Sequence, residues 1–313
     1  MLETRKNAIK FNSSNGSNQI AGYWLEHETV RPKAILQISH GMCEYFSRYD
    51  DFAAFMAQHG YLVCGNDHLG HGQSAPDGEE GFFAAQDGAD YVLRDLYQMN
   101  ALISRKYPGL PVFLLGHSMG SFFARRYAVL YPETIKALIL SGTAGPNPMA
   151  KVGIALTEML SKTKGPQYRS RLVYGMAFGQ YLKKIPHPAT PYDWITRDEE
   201  IVHQYAGDPK CTFLFSVSAF HDLMRTLDAV SSQRWANRLP KALPIALFAG
   251  DMDPVGDYGK GVRKVYQMLR KAGVKDVEMK LYHGARHEIL NETNRQQVYA
   301  DVLAWCEKHI ETL

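Results

Sequence analysis

Cysteine is scarce in this 313-residue chain. Cys43, Cys64, Cys211 and Cys306 show no CxxC spacing and are too few for a disulfide framework, which excludes a small stapled secreted domain and makes a reducing cytoplasm the expected setting. Long apolar runs are missing. No stretch of about 18 apolar residues occurs, so no membrane-spanning helix is expected. Met1 to Asn18 is polar and lacks the apolar core of a secretory signal, so the mature chain is expected to start here. Charge of one sign is not in excess either: 35 Lys and Arg against 32 Asp and Glu leave +3, too weak for a nucleic-acid binder. Internal repeats and low-complexity tracts are absent. What remains is an ordinary globular balance, 45% apolar and 21% charged, which suits an enzyme or a binding domain. The length alone allows two domains.

What the sequence does contain is alternation. Short β-branched or apolar runs recur at Ala34–Ile38, Tyr61–Cys64, Val112–Leu115, Ala137–Leu140 and Ile245–Phe248. Continuous apolar runs of this length read as strands buried on both faces, as in parallel sheets. Helical segments lie between them, at Tyr49–Gln58, Asp90–Lys106 and Ser121–Leu130. Strand–helix alternation implies a mostly parallel α/β sheet flanked by helices. Ahead of it, Ala8–Phe11 and Ile20–Leu25 are expected to form an antiparallel pair around the turn-rich Asn12–Gly16.

The alternation stops after Ala144. The 98 residues 145–242 read as helices and turns, an insertion between two strands. Within it, Thr196-Arg197-Asp198-Glu199 is a capping-box pattern that predicts a helix from Arg197, after a stiff turn marked by Pro186, Pro188 and Pro191. The parallel pattern resumes at Ile245, continues through a helix near Gly261–Lys271 and the strand Val277–Tyr282, and ends in a helix over Asn294–Ile310. Val298, Val302, Cys306 and Ile310 mark that last helix's core face. The expected domains are thus a core of 1–144 and 243–313 and a helical cap of 145–242.

Gly116-His117-Ser118-Met119-Gly120 sits between a strand and a helix. GxSxG in that context is a nucleophile elbow, whose glycines permit a sharp turn that presents the serine oxygen. A helix-capping serine between packing glycines is the plain alternative. Serine needs a base, and the base needs a carboxylate to orient it. In chain order the acid should follow the next strand, where Asp251-Met252-Asp253-Pro254 stands. Spacing leaves Asp251 and Asp253 both open, and either could equally be a turn former. The base should follow the last strand. His283 lies at the strand's end and His287 in the loop beyond, and an imidazole that must reach back over the elbow favours His287. Two backbone N–H donors are needed for the oxyanion; Met119, after the nucleophile, and Met42, in Ser39-His40-Gly41-Met42-Cys43, occupy the expected positions. His68 and His71 beside Asp67 are read as loop-shaping residues and not as metal ligands, since no further ligand cluster accompanies them. Nothing calls for a cofactor.

These motifs together resemble the monoacylglycerol lipase and lysophospholipase branch of the α/β-hydrolase fold, the serine-aminopeptidase-like hydrolases with a cap. The similar stretches are His40-Gly41-Met42-Cys43-Glu44-Tyr45-Phe46-Ser47-Arg48-Tyr49, Asp67-His68-Leu69-Gly70-His71-Gly72-Gln73-Ser74, the elbow itself, Gly250-Asp251-Met252-Asp253 and Gly284-Ala285-Arg286-His287-Glu288. The resemblance runs from residue 20 to the end and is weakest in 145–242. It implies a serine hydrolase of carboxylic acyl esters, of monoacylglycerol- or lysophospholipid-like lipids, with Ser118, Asp253 and His287 as the triad. It selects Asp253 over Asp251, agrees with His287, and implies that Glu44 and Arg48 line a polar pocket beside the nucleophile. An ion pair at i, i+4 is the plain alternative for those two. The resemblance departs at Leu290, where mammalian lipases of the branch carry a second histidine near the glycerol group, and at Tyr45, which often is histidine. Short-chain carboxylesterase or thioesterase, prolyl-type aminopeptidase and a non-catalytic binding protein are the rival readings. The expected partner is a small acyl ester. Residues 145–242 hold 13 basic against 8 acidic residues, the rest 22 against 24, so a mildly basic cap over a slightly acidic body is compatible with contact at a lipid surface and a cytoplasmic protein peripheral to membranes. Two charge-free stretches, Leu172–Tyr181 and Cys211–Phe220, are expected mainly to build the cap's small core and its contact with the sheet domain.

Overall fold

The computed structural model describes residues 4–310. The antiparallel pair expected near the N-terminus forms from β1 (Thr4–Asn12) and β2 (Gln19–His27), longer at both ends than the apolar pattern marked. The chain then runs through β3 (Ala34–Ser39), α1 (Asp50–Gln58), β4 (Tyr61–Asn66), α2 (Gly88–Lys106), β5 (Val112–His117), α3 (Met119–Leu130) and β6 (Ala137–Ser141). Five helices follow, α4 (Met149–Lys164), α5 (Arg171–Phe178), α6 (Glu199–Gly207), α7 (Val217–Val230) and α8 (Gln233–Arg238). The sheet resumes with β7 (Ile245–Gly250), α9 (Lys260–Lys271), β8 (Val277–Tyr282) and α10 (Arg295–Ile310).

The eight strands form one sheet in the order β1-β2-β4-β3-β5-β6-β7-β8. Pairings among β3 to β8 are parallel, and β2 meets β4 antiparallel. Every residue of β3 through β7 is buried, which explains why these strands read as unbroken apolar runs. Alternate side chains go to opposite faces. Leu114, Leu138 and Leu140 join Val92, Leu96 and Met99 of α2, Phe123 and Tyr127 of α3, and Val265 of α9 on one side. Phe113, Leu115 and Ile139 join Phe52 and Met56 of α1 and Val298, Val302 and Cys306 of α10 on the other. This three-layer α/β-hydrolase arrangement is the fold class that the motifs implied.

One helix start differs from expectation. α6 begins at Glu199, not Arg197, and its N-cap is Asp198, whose carboxylate accepts the Ile201 N–H at 3.3 Å. Thr196 is no cap: its hydroxyl donates to the Asn291 carbonyl at 2.9 Å, a tertiary bond that local pattern cannot reveal. Arg125 of α3, fully buried, holds the chain that enters the inserted segment and the last residue of its helix α7. It donates to the Ala144 carbonyl at 2.8 Å and to the Val230 carbonyl, with its guanidinium 4.4 Å over the Trp235 ring. Of the charge-free stretches, Phe215, Val217, Ala219 and Phe220 are buried as expected, whereas Leu172 is 63% exposed.

Candidate active site

β5 ends at His117, and Ser118 makes the turn into α3 with φ 51° and ψ −121°, a left-handed backbone in a non-glycine residue. Two glycines make that turn fit. A Cβ on Gly120 would lie 2.0 Å from the Ser39 carbonyl oxygen, and one on Gly116 would lie 2.7 Å from the Ala124 Cβ. The Ser118 N–H donates to the Ser141 carbonyl at 2.9 Å, fixing the elbow to the neighbouring strand.

The loop after β7 holds two aspartates in different settings. Asp253 is fully buried; its Oδ1 accepts the Val255 N–H at 2.8 Å and lies 3.0 Å from His287 Nδ1. Asp251 is part-exposed. It accepts the Gly284 N–H at 2.7 Å and faces His283 Nδ1 at 2.9 Å, where His283 is fully exposed. The four candidates thus sort into one buried pair, Asp253–His287, and one surface pair, Asp251–His283. Burial pulls the His287 imidazole down, but the Asp253 carboxylate outweighs it, helped by Glu288 and Glu44, so its pKa rises above the ordinary histidine value. The His117 ring packs 4.7 Å from the His287 ring and is pushed down to about 3 by burial and by the His287 charge, so it stays neutral.

The loop after β3 is held by side chains on both sides of Met42. The Gly41 carbonyl can only accept, so His40 Nδ1–H donates to it at 2.8 Å, while His40 Nε2 accepts the His68 N–H at 2.9 Å. The Gly41 N–H is taken by Glu44 Oε1, and the Cys43 N–H by His71 Nε2 at 3.3 Å. In a trans peptide the N–H points opposite to the C=O, so holding the Gly41 carbonyl toward His40 turns the Met42 N–H the other way. Met119 is the first residue of α3, and its N–H has no partner within the helix. Burial, with its histidine neighbours, keeps His40 far below the usual histidine range, and burial holds His71 at about 4. His68 and His71 are thus engaged within the loop: His68 Nε2 meets Ser39 Oγ at 3.0 Å, and His71 Nδ1–H donates to the Leu69 carbonyl at 2.9 Å.

Glu44 and Arg48 do form the i, i+4 pair, Arg48 Nη1 to Glu44 Oε2 at 3.1 Å, but a third residue completes it. Arg48 grips Glu288 through two parallel bonds, 2.7 and 2.8 Å, and stacks 4.9 Å from the Tyr205 ring. Tyr49 donates to Glu44 at 2.8 Å and Asn291 to Glu288 at 2.9 Å. Burial lifts the Glu44 carboxyl to about 7, against Arg48. Burial works the same way on Glu288, but Arg48 overcomes it and holds that carboxyl near 2. Leu290 is buried in the core under α10, and the Tyr45 hydroxyl donates to Asp208 at 2.6 Å.

Ser118, Met42, Met119, His287, Glu44 and Glu288 line one cavity of about 590 Å³; Arg48 stands behind the two carboxylates, outside that lining. The inserted segment supplies much of its wall, including Tyr174, Phe178 and Trp194. Trp194 lies 5.1 Å from the His287 ring. Residues around it are bonded to the loop bearing His287: Glu288 N–H to the Ile195 carbonyl at 2.6 Å, Arg286 to the Thr196 carbonyl at 2.9 Å, and Arg197 to Glu292 at 2.8 Å. Sequence reasoning passed over Glu288 and Trp194. Glu288 had one signal, a charge beside the candidate base His287; Trp194 reaches the site only through the folding of the insertion. The chemistry available is attack by a serine oxygen, proton transfer through an oriented imidazole, and anion binding at backbone N–H groups.

Among the described residues, one group could bring three metal-ligand atoms together, Asp276, Glu278 and His309, remote from this cavity. Lys308 Nζ already lies 2.5 Å from Glu278 and 4.0 Å from Asp276. No helix of the described residues is long and apolar enough to cross a membrane.

Residues 30–294 match the family described as serine aminopeptidase, S33. The human monoglyceride lipase is 28% identical over 96% of this chain and 90% of its own length. A monoacylglycerol lipase of Mycolicibacterium smegmatis is 27% identical over 99% of this chain and 100% of its own. Among solved structures, a thermostable carboxyl esterase of Bacillus coagulans, in complex with glycerol, superposes with a TM-score of 0.92 at 31% identity, covering 97% of this chain and 99% of that one.

Proposed function

This chain belongs to the serine aminopeptidase S33 family of α/β-hydrolases, and from that membership and the geometry of the cavity we propose a carboxylic ester hydrolase that cleaves monoacylglycerol- or lysophospholipid-like acyl esters through an acyl-enzyme. The observation that carries this reading is the buried Asp253–His287 contact of 3.0 Å, with His287 lining the same cavity as the elbow serine. In the proposed mechanism Ser118 attacks the acyl carbonyl as His287 takes its proton. Asp253 keeps the imidazole in one tautomer and stabilises its charged form. The Met42 and Met119 N–H groups bind the oxyanion. His287 then returns the proton to the leaving alcohol and activates water, which frees the acyl group. Residues 1–144 and 243–313 act as the catalytic core and 145–242 as a cap over the acyl chain, a division supported by the five helices that separate β6 from β7.

A lipid surface is the proposed docking partner of that cap. Val152 and Met159 of α4 and Leu172 of α5 are half or more exposed and lie among Lys151, Lys162, Lys164 and Arg171. The aminopeptidase alternative needs a carboxylate free to hold a substrate amine. Glu44 is bonded to Gly41, Arg48 and Tyr49, which favours the esterase reading. A fluorophosphonate probe tests the proposal: the wild type should label and Ser118→Ala should not, with kcat on a nitrophenyl ester falling by about a millionfold. Faster turnover of an aminoacyl anilide than of any acyl ester would overturn the ester reading.

A further inference from the structure

We propose that Trp194 is a positioning residue for His287: lying against the imidazole, its indole stabilises the imidazolium that forms each time Ser118 gives up its proton. This rests on the ester-hydrolase reading and adds to it a part played by the inserted segment in the chemistry itself.

The imidazole is enclosed. His287 is 3% exposed, and Asp253 meets its Nδ1 at 3.0 Å. A Cβ on Gly142, at φ 57°, would lie 3.1 Å from both Nδ1 and Cε1, so the backbone there stands close along that edge. Two rings then pack on the imidazole, His117 with centroids 4.7 Å apart and Trp194 with centroids 5.1 Å apart. The indole is backed in turn by aromatic rings of the inserted segment, Tyr181 edge-on at 4.9 Å and Phe178 stacked at 6.3 Å. Its main chain is fixed on either side to the loop bearing His287. The Asp193 and Thr196 carbonyls accept from Arg286, and the Ile195 carbonyl accepts the Glu288 N–H. The same loop thus carries the imidazole and holds the indole against it.

A charge that appears in a site this dry needs compensation close by. Asp253 supplies it at one nitrogen. The indole face is the most electron-rich that a protein offers, and a cation within about 6 Å of the ring centroid is attracted to it, more strongly where water is excluded. His117, held neutral, adds a ring without adding charge. The titratable groups acting on the imidazole are Asp253, Glu288 and Glu44, with Arg48 paired to both glutamates and Tyr181 buried near Asp253. Trp194 carries no charge, so a substitution there changes the ring face and leaves that set in place. A purely shielding role has the opposite sign. If the indole only kept water out, removing it would admit water, which favours the charged imidazole; if its face matters, removing it disfavours the charged form.

The test follows His287 in the full chain by two readouts. One is the titration of its ring nitrogens by NMR in histidine-labelled protein, assigned by the signal lost in His287→Gln. The other is the acid limb of kcat/KM on a soluble short-chain ester. Trp194→Leu should move both down by about one pH unit. Trp194→Phe, nearer leucine in size but with a ring face, should fall between leucine and wild type. Values in Trp194→Leu that stay in place or move up would overturn the role of Trp194. Trifluorotryptophan placed at position 194 keeps the indole's shape and drains its face, so it reports even if Trp194→Leu does not fold; it too should lower the titration, and an unmoved titration would overturn the role. Either failure in protein that takes the fluorophosphonate leaves the ester-hydrolase reading intact. Wild-type protein that takes none would overturn the reading and the role of Trp194 together.

Discussion

Two aspartates two residues apart, Asp251 and Asp253, hold different histidines, and substitution separates them. Asp253→Asn removes the carboxylate 3.0 Å from His287 and should lower kcat by about 10⁴-fold, whereas Asp251→Asn loosens a surface pair and should leave kcat within about threefold. Steady-state kinetics on a soluble short-chain ester decide; the reverse order would show that the acid had been assigned to the wrong aspartate. The raised His287 pKa has a sign that can be checked in the same assay. In the proposed role the imidazole works neutral, so activity is lost as pH falls through its pKa, and the acid limb of kcat/KM should lie above the ordinary histidine value of about 6.5. Ser118, His287 and the two methionines could be proposed from the sequence because motif order sets each just past a strand's carboxyl end. Asp251 and Asp253 could not be separated from spacing, because what distinguishes them is burial. Glu288 escaped for a similar reason: its partner Arg48 is 240 residues away in the chain.

Elements were legible in proportion to how much their own residues decide them. β3 to β7 are buried on both faces, so composition alone marks them, and α10 carries its stripe of Val298, Val302 and Cys306 into the core. Inside the insertion the decisive bonds are long-range, which is why the start of α6 was misplaced by two residues when Thr196 turned to Asn291. α3 illustrates the energetic side. Arg125 satisfies the Ala144 and Val230 carbonyls, and Arg125→Leu would leave both without that donor in the interior. A loss of about 2–4 kcal/mol is expected, read from urea unfolding. Gly120→Ala should be worse still, because its Cβ would sit 2.0 Å from the Ser39 oxygen, a backbone atom that cannot swing aside; the expected result is little folded protein on circular dichroism.

For the whole molecule, the uneven distribution of charge and exposed apolar residues bears on where the enzyme works. If the cap docks on lipid, Val152→Ser, Met159→Ser and Leu172→Ser together should weaken binding to anionic vesicles by at least about tenfold. None of the three lines the cavity, so hydrolysis of a soluble ester should persist. Vesicle binding unchanged by the triple substitution would remove the cap from the interface. High salt should weaken binding in the wild type as well, since the basic rim acts through screened charges.

The bonds between residues 193–198 and the loop bearing His287 carry a thermodynamic obligation. Trp194 on the imidazole, Ile195 and Thr196 on the loop's backbone and side chains, and Arg197 on Glu292 make the position of this part of the inserted segment and the setting of the His287 imidazole linked variables. Linkage is reciprocal: whatever steadies one end steadies the other by the same free energy. An adduct on Ser118 that holds His287 should therefore slow amide exchange at Trp194 to Asp198, far from it in sequence. A lipid surface that grips the cap should, by the same obligation, ready the base.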